Sequence, residues 1–425
     1  MIQTFAEESP IPSHLYRLFG TRTGIINNLA DILPDPESNR GVAVTSSTAR
    51  IGTLFGREGF DPPLRTGGKG QTLAEKTITC IGETVERYCS YWPAADAETA
   101  SYAEMQRQED VSVPDYDYLD IYDRGEHDDF APFTRETPIL WEQGTNILTG
   151  RPVMMPSGLV RANAGTHHDG VLFYGSSNGN AAGQSLLSTA VRSFLEVIER
   201  DAFMRTWCRQ RSPPAVDLDD YPASRKLISE YVEDSAHEIV ILELDSPFTI
   251  PTVGAVRYST DGSFPSFAIC AASALEPEAA VQEAVLETIQ SEPFQRQARI
   301  DTDVEEIDID EVMNLDDNFI YYTHPENFDD VSVLLASRDV KTELPTPPEP
   351  STPRDELQYL CREFERVGVT PVLLDITTAD VRDVGLRVTS GVVPELVGLS
   401  PPAALPKHHP VFEDETITTT PHPFP

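Results

Sequence analysis

Residues 196–202 read Glu196-Val197-Ile198-Glu199-Arg200-Asp201-Ala202, and the first five repeat the pattern of Glu83-Thr84-Val85-Glu86-Arg87. Each copy lies in a stretch with helical periodicity, where positions i, i+3 and i+4 share one face. Each copy therefore presents two carboxylates and one guanidinium on a single surface. Two such surfaces facing each other would put four carboxylates around one cavity, where they repel unless a cation lies between them. Magnesium carried by a polyphosphate is the natural candidate.

The competing interpretation is an ordinary surface ion pair, since Glu and Arg four residues apart on a helix contribute only a few tenths of a kcal/mol. The flanking residues favour burial instead. The first helix has an apolar side and the second is apolar almost throughout: Ile78, Ile81, Gly82 and Val85 in one, Val191, Phe194, Leu195, Val197 and Ile198 in the other. Helices of this kind are largely buried, and buried acids need partners or metals.

The composition is strongly acidic. The 425 residues include 69 Asp and Glu against 32 Lys and Arg, a formal net charge of −37. An acidic, lysine-poor surface suits a protein that stays hydrated in concentrated salt, so the composition predicts a halophilic source. Direct nucleic-acid binding is disfavoured, because phosphate neutralisation needs a basic footprint that the chain lacks.

The five cysteines include no CxxC pair, which argues against a zinc ribbon or a dithiol site. The N-terminal residues have no signal-peptide architecture, and no apolar run approaches ~20 residues. We therefore expect a cytoplasmic protein without a membrane span.

The order of helix and strand patterns predicts the α+β class, with mixed or antiparallel sheets and long helices packed on one side. Helical segments are expected at about 15–19, 70–92, 185–209, 277–290 and 354–367. Strands are expected at 41–45, 138–141, 151–155, 171–174, 238–244, 252–256, 267–271 and 370–375. The predicted units are an N-terminal mixed segment (1–66), a core (67–300), an acidic and proline-rich connection (301–355), a C-terminal α/β part of the core (356–400) and an extended proline-rich tail (401–425).

The last five residues are Pro421-His422-Pro423-Phe424-Pro425, with a proline at every second position. Such a segment cannot form a helix and favours an extended, stiff conformation. Two interpretations stay open. One is a frayed end, and the other is an extended segment that docks in a groove and places its terminal carboxylate.

Together these residues resemble the YcaO family, ATP-dependent enzymes that modify peptide backbone amides. The resemblance covers most of the chain, and its most specific part is Ser177-Asn178-Gly179-x-Ala181-Ala182-Gly183 followed by Glu196-x-x-Glu199-Arg200-Asp201-Ala202. The weaker parts are Gly68-Lys69-Gly70 with Glu83-x-x-Glu86-Arg87, Ala284-x-x-Glu287-x-x-Gln290, Asp375-Ile376-Thr377, and Leu386-Arg387-Val388 with Val393-Pro394.

The resemblance implies a nucleotide site in which ATP lies over a mixed sheet. It implies magnesium and phosphate-side ligands at Glu83, Glu86, Glu196 and Glu199. It implies ATP-binding positions at Lys69, Arg87 and Arg200 around the phosphates, at Ser177, Asn178 and Gln184 near the nucleotide, and at Glu287 on the third helix.

The terminal Pro-x-Pro-x-Pro resembles the azoline-forming members, the cyclodehydratases of thiazole/oxazole-modified ribosomal peptides such as bacteriocins. In these, a Cys, Ser or Thr side chain attacks the preceding amide carbonyl, and the oxyanion takes the γ-phosphoryl group of ATP. Loss of phosphate then leaves the azoline. The implied base for the amide proton is the carboxylate of Pro425, and positioning and charge neutralisation do most of the remaining work.

The implied partners are a ribosomal precursor peptide and an E1-like leader-binding protein, which we expect to be encoded elsewhere. A downstream flavin dehydrogenase and a homodimer are further expectations.

Two positions depart from the family pattern. Ser188 stands where members usually carry Glu, and Glu283 where they often carry Arg, an exchange that would weaken nucleotide binding by repulsion. Three alternatives therefore stay open: backbone thioamidation, which needs a sulfur donor; a non-catalytic scaffold with the same fold; and an acidic binding protein whose repeated motif is only surface salt bridging.

Overall fold

The computed structural model describes residues 11–20, 24–32, 44–49, 64–92, 94, 96–125, 130–162, 164–167, 170–175, 177–232, 236–302, 307–341, 343–348, 350–402 and 404–424. Within these ranges, no helix combines the length and the apolar character that a membrane crossing requires.

The described residues form eight α-helices, numbered here in chain order. They are α1 (Leu73–Tyr91), α2 (Tyr102–Met105), α3 (Leu186–Cys208), α4 (Pro222–Val232), α5 (Pro277–Thr302), α6 (Leu315–Tyr321), α7 (Pro353–Val367) and α8 (Ala379–Asp383). Short 3-10 helices occur at Ser13–Leu18, Tyr116–Tyr118, Ser157–Leu159, Ile309–Glu311, Pro325–Asp330, Ser332–Leu335 and Pro410–Phe412.

The strands form three larger sheets and one short hairpin. The first eight strands are β1 (Asn28–Ile32), β2 (Val44–Ala49), β3 (Leu64–Gly68), β4 (Glu98–Ser101), β5 (Pro138–Asn146), β6 (Pro152–Pro156), β7 (Thr166–His167) and β8 (Gly170–Val171). The remaining strands are β9 (Asn180–Gly183), β10 (Ala215–Val216), β11 (His237–Glu243), β12 (Thr252–Ser259), β13 (Phe267–Ser273), β14 (Val340–Lys341), β15 (Val372–Asp375) and β16 (Arg387–Val392).

Strand pairing confirms the α+β prediction with mixed or antiparallel sheets. One sheet has the order β1-β2-β3, the second β13-β12-β11-β10-β14, and the third β4-β5-β15-β16-β9 with β6 paired to β5. Neighbouring strands are antiparallel except β10 and β14, which are parallel. The third sheet joins strands from both halves of the chain, so residues 372–392 complete a sheet begun near residue 98.

Helix α3 lies between the two larger sheets and contacts β9 and β16 of one and β12 and β13 of the other. Helix α1 packs on β2 and β3 and also on β9, and α5 packs on β12 and β13. The three helices that carry the acidic motifs thus converge on one region.

Helix α1 begins with a capping box, in which the Thr72 side chain accepts from the Glu75 N–H while Glu75 reaches back to the Thr72 N–H. Ser185 caps α3 by accepting from the Ser188 N–H. Both helices end within about two residues of the predicted limits, because caps and apolar periodicity are local signals.

Several predicted boundaries are wrong. Strands β5 and β12 continue past their predicted ends to Asn146 and Ser259. Helix α5 does not end near Gln290 but continues through Pro293 to Thr302. Packing holds the extension, since Gln295 Oε1 accepts from Arg257 Nη2 and Gln295 Nε2 donates to the Phe267 carbonyl. The predicted strand at 171–174 shrinks to β8, since the N–H groups of Leu172 and Phe173 both donate to the Gly165 carbonyl in a turn. Of the predicted strand at 41–45, residues 41–43 lie outside the described residues.

Candidate functional site

Lys69 follows strand β3 and reaches the acidic helices because two glycines let the chain pass close to them. A Cβ atom at Gly68 would lie 2.1 Å from the Lys76 carbonyl oxygen on α1, and one at Gly67 would lie 2.5 Å from Gln290 Nε2 on α5. The Lys69 ammonium sits 2.7 Å from Glu287 Oε2. Burial would lower the pKa of Lys69, but Glu287 outweighs it and holds the pKa above its usual value.

The first acidic motif lies on the face of α1 turned toward this pair. Arg87 Nη2 is 3.6 Å from Glu83 Oε1. Burial raises the pKa of Glu83, and it raises that of Glu86 well above its ordinary range, where the neighbouring Glu196 carboxylate adds to the effect. Glu86 and Glu196 belong to the two copies of the motif, so the two helices present their acids to each other as the sequence predicted.

The second motif is the deeper one. The Arg200 side chain is 14% exposed and that of Glu199 12%, whereas those of Glu83 and Arg87 are 35% and 37% exposed. Arg200 lies 3.5 Å from both Glu196 and Glu199. Burial raises the pKa of Glu196 to about 7 and that of Glu199 to about 8, and Glu287 adds to both shifts. The two copies of the motif thus differ in how far their side chains are buried.

With every carboxyl group ionised, the cluster carries more negative than positive charge. It contains five carboxylates and three cations, which we call the carboxylate cluster: Glu83, Glu86, Glu196, Glu199 and Glu287 with Lys69, Arg87 and Arg200. Among the acids, Glu287 has a lowered pKa, since Lys69 and Arg200 outweigh its burial. The raised pKa values of the other four show that their charges are poorly compensated by the protein.

The residues fit a magnesium–polyphosphate ligand. Arg200 Nε lies 3.5 Å from Glu199 Oε1, whereas the buried Nη1 donor has no hydrogen-bond partner among the described residues and is available to a phosphate oxygen. Among the described residues, no group of three carboxylate, thiol or imidazole side chains is arranged to hold a metal ion by itself. Magnesium is commonly bound by one or two carboxylates together with substrate phosphates and water, so the cluster suits a metal that arrives with its phosphates.

The loop before α3 makes contacts that the sequence did not reveal. Asn178 Nδ2 donates to the Leu399 carbonyl at 2.9 Å, and the Ser177 carbonyl accepts from the Asn180 N–H in a turn. Gln184 is exposed just after β9. The nucleotide-binding roles of Ser177, Asn178 and Gln184 stay predictions, and Asn178 has the added task of holding the segment around Leu399.

The two departures from the family pattern have distinct environments. The Ser188 hydroxyl donates to the Ser185 carbonyl in the first turn of α3, so it serves the helix cap. Glu283 faces the cluster from α5, where burial raises its pKa while Lys69 and Arg192 counteract the rise. Arg192 was missed from the sequence, although its position four and seven residues before Glu196 and Glu199 puts it on their face of α3.

The tail is docked rather than frayed over the residues that the structure describes. Residues 421–424 are buried, and the Phe424 side chain is 1% exposed. The guanidinium carbon of Arg200 lies 4.4 Å from the centroid of the Phe424 ring, a cation–π contact. The tail thus reaches the carboxylate cluster, whereas Pro425, the predicted catalytic residue, lies outside the described residues.

A family model described as YcaO cyclodehydratase, ATP- and Mg2+-binding, matches residues 67–397. No curated protein matches the sequence.

Solved structures share the fold at low sequence identity. A heterocyclase in complex with substrate and cofactor superposes with a TM-score of 0.75 at 22% identity, over 96% of this chain and 56% of its own length. YcaO from Methanopyrus kandleri bound with AMPPCP and Mg2+ gives 0.65 at 17%, over 88% and 90%. The E. coli microcin synthetase McbBCD complex with pro-MccB17 bound gives 0.61 at 15%, over 93% and 96%. This chain therefore spans just over half of the first heterocyclase.

Proposed function

The chain belongs to the YcaO family of ATP- and Mg2+-binding cyclodehydratases, and from that premise we propose that it converts Cys, Ser or Thr of a ribosomal precursor peptide to azolines by phosphorylating backbone amides. The observation that carries the proposal is the carboxylate cluster, in which five carboxyl groups outnumber three cations, together with the unpartnered Arg200 Nη1 donor and the docked tail.

Each residue of the cluster has a role in the proposal. Glu83, Glu86, Glu196 and Glu199 would hold magnesium and the phosphate side, and Lys69, Arg87 and Arg200 would contact phosphate oxygens. Ser177, Asn178 and Gln184 would contact the rest of the nucleotide. Glu287 orients Lys69 through the 2.7 Å ion pair. Bound Mg2+–ATP supplies the phosphoryl group that turns the amide oxygen into a leaving group.

The tail supplies the proposed base. The chain passes the Phe424–Arg200 contact one residue before Pro425, and the resemblance assigns the Pro425 carboxylate as the acceptor of the amide proton. A terminal carboxylate is ionised at neutral pH, so it can accept a proton there.

The proposed partners are a precursor peptide and a separate E1-like leader-binding protein. Two neighbours support this: the McbBCD structure is a complex with pro-MccB17 bound, and the first heterocyclase is longer than the part that this chain covers. A flavin dehydrogenase acting on the azoline, a homodimer and a cytoplasmic location also remain proposals.

The second candidate is backbone thioamidation on the same ATP site. It would need a sulfur donor, and the docked proline tail, which marks azoline formers, favours cyclodehydration over it. The scaffold hypothesis draws on Ser188 and Glu283, but Lys69 and Arg192 both lie within electrostatic reach of Glu283. Cations therefore remain on that side of the cluster.

Calorimetric titration of the purified protein with ATP, with and without Mg2+ in molar KCl, tests the nucleotide site. We expect Mg2+-dependent binding that Glu199→Gln weakens at least about tenfold, which is 1.4 kcal/mol. Glu230→Gln is the matched control, because it makes the same change in an exposed ion pair with Lys226 on α4. An absence of Mg2+–ATP binding by the unaltered protein would remove the catalytic proposal.

Adding one glycine after Pro425 tests the proposed base. The addition displaces the carboxylate while leaving Phe424 in place, so peptide-dependent phosphate release should fall at least about tenfold with unchanged Mg2+–ATP affinity. A glycine inserted in the exposed turn after Gly262 is the control. Full activity of the extended protein would exclude the terminal carboxylate as the base.

A further inference from the structure

The tail runs along α3 from its C-terminal end toward the carboxylate cluster. The Thr418 N–H donates to the Cys208 carbonyl at the last residue of α3. Further along, the His422 and Phe424 rings both contact Phe203, with the Phe424 ring 4.6 Å away. Phe424 then reaches Arg200, two turns before the end of the helix. The direction of the tail is therefore fixed over its final seven described residues.

The tail is recognised mainly through its carbonyl groups. Pro421 and Pro423 have no N–H, so this segment cannot pair through the alternating donors and acceptors of a β-ladder. Four of its carbonyls instead accept from three side chains: Thr420 from Trp207 Nε1 at 3.0 Å, Pro421 from Tyr322 Oη at 2.5 Å, and His422 and Phe424 from Asn318 Nδ2 at 2.8 Å each. Asn318 is thus the donor nearest to the end of the tail.

Asn318 lies on α6 and is fully buried. Both hydrogens of its amide nitrogen point at tail carbonyls two residues apart, so a single side chain sets the course of the backbone from His422 to Phe424. An acceptor at this position would face two carbonyl oxygens, which is repulsive.

The His422 side chain makes two further hydrogen bonds that hold the tail in place. Its Nε2 is 2.7 Å from the Ser400 carbonyl, which can only accept, so Nε2 carries the proton. Its Nδ1 is then free to accept from the Phe424 N–H at 3.3 Å. Burial keeps the ring neutral by lowering its pKa to about 4, and Arg200 adds to the shift. The imidazole thus ties the tail to the segment that Asn178 also holds.

We propose that Asn318 and His422 are positioning residues, which fix the course of the tail so that Phe424 stacks on Arg200 at the carboxylate cluster. This inference rests on the proposed function for its catalytic meaning. The clasp, by which we mean the hydrogen bonds of Asn318 and His422 that hold the tail, is a property of the folded chain. Neither residue touches the proposed nucleotide ligands directly; both act through Phe424.

Hydrogen–deuterium exchange of a C-terminal fragment covering residues 417–425 tests the clasp without any ligand. Asn318→Asp replaces the donor by an acceptor of equal size, and we expect the amide protons of this fragment to exchange at least about tenfold faster. Asn314→Asp is the matched control, because Asn314 accepts from the Asp317 N–H at the start of the same helix and Asp keeps that acceptor. Unchanged exchange in Asn318→Asp would overturn the proposal.

A double-variant cycle on Mg2+–ATP binding separates positioning from general destabilisation. We expect Asn318→Asp and Phe424→Ala each to raise the Kd about fivefold and the double variant to raise it no further, because both act through the Phe424–Arg200 contact. Additive effects would overturn the proposal. If Asn318→Asp does not fold, Asn318→Ala replaces it in the cycle, because this variant removes the donor without adding charge. Failure of the unaltered protein to bind Mg2+–ATP would count against the proposed function alone, since the exchange experiment still decides the clasp.

Discussion

At the scale of single residues, the unusual feature is a set of partly buried carboxyl groups that outnumber the cations beside them. Glu199 and Glu196 keep raised pKa values although Arg200 lies 3.5 Å from each, because burial and the other acids outweigh one guanidinium. The raised pKa values mean that ionising these carboxyl groups costs free energy when no ligand is bound. Such a cost is typical of a site whose ligand removes it.

The cluster predicts how stability depends on pH. Glu196 and Glu199 have pKa values of about 7 and about 8 in the folded protein, against 4.5 for an ordinary Glu. The folded state therefore holds more protons than the unfolded state up to about pH 8, and stability must fall as the pH rises through that range. Melting temperatures of the nucleotide-free protein should drop by about 2–4 °C between pH 6.5 and pH 8.

This window largely avoids an opposing contribution. Burial lowers the pKa of His409 and His422 to about 4, so these rings add stability mainly as the pH rises from about 4 to 6.5, with a small remainder up to about pH 7.5. Glu199→Gln should flatten the decline above pH 6.5, whereas Glu230→Gln should leave it as it is. An equally steep decline in the Glu199→Gln protein would mean that this carboxyl group is not the one that titrates.

At the scale of elements, the acidic helices α1 and α3 were the most predictable part. Helices α1 and α3 follow caps and apolar periodicity that lie within each helix, so their limits and facing surfaces could be predicted. The extension of α5 past Pro293 could not, because hydrogen bonds to Arg257 and Phe267 from other elements hold it. Tertiary packing thus carries the helix past a proline, although proline disfavours the interior of a helix.

The tail should behave as a structural element. Removing residues 421–425 takes away the Phe424 side chain, which is 1% exposed. The free energy of unfolding should fall by about 3 kcal/mol or more, the usual cost of losing a buried aromatic side chain. Urea unfolding measures this free energy. Val340→Ala serves as a near-neutral reference, because Val340 is 62% exposed. An unchanged midpoint would show that the tail adds nothing to stability.

At the scale of the whole molecule, the net charge of −37 dominates behaviour in solution. Repulsion among 69 acidic residues disfavours the compact state at low ionic strength and is screened within about 10 Å at 0.1 M salt and about 3 Å at 1 M. We expect the melting temperature to rise by several degrees, about 5 °C or more, between 0.1 M and 2 M KCl. A melting temperature independent of salt would remove the basis for the predicted halophilic source.

The sequence by itself determined the family and the α+β class, and it determined which acids and cations of the carboxylate cluster share a helix face, because each copy of the acidic motif lies within one helix. Glu83 to Arg87 and Glu196 to Arg200 share helix faces whatever surrounds them. Even Arg192 was accessible to that argument, since helical spacing places it with Glu196 and Glu199.

Only the tertiary structure decided how deep each motif lies and where the tail goes. Asn318 and His422 are 104 residues apart, and Trp207 and Thr420 are 213 apart, yet they meet in one groove. No periodicity marks an asparagine as the donor for two distant carbonyls. Such contacts form because packing brings donors from distant parts of the chain to the tail. The prolines of the tail have no N–H group, so its backbone mainly accepts hydrogen bonds.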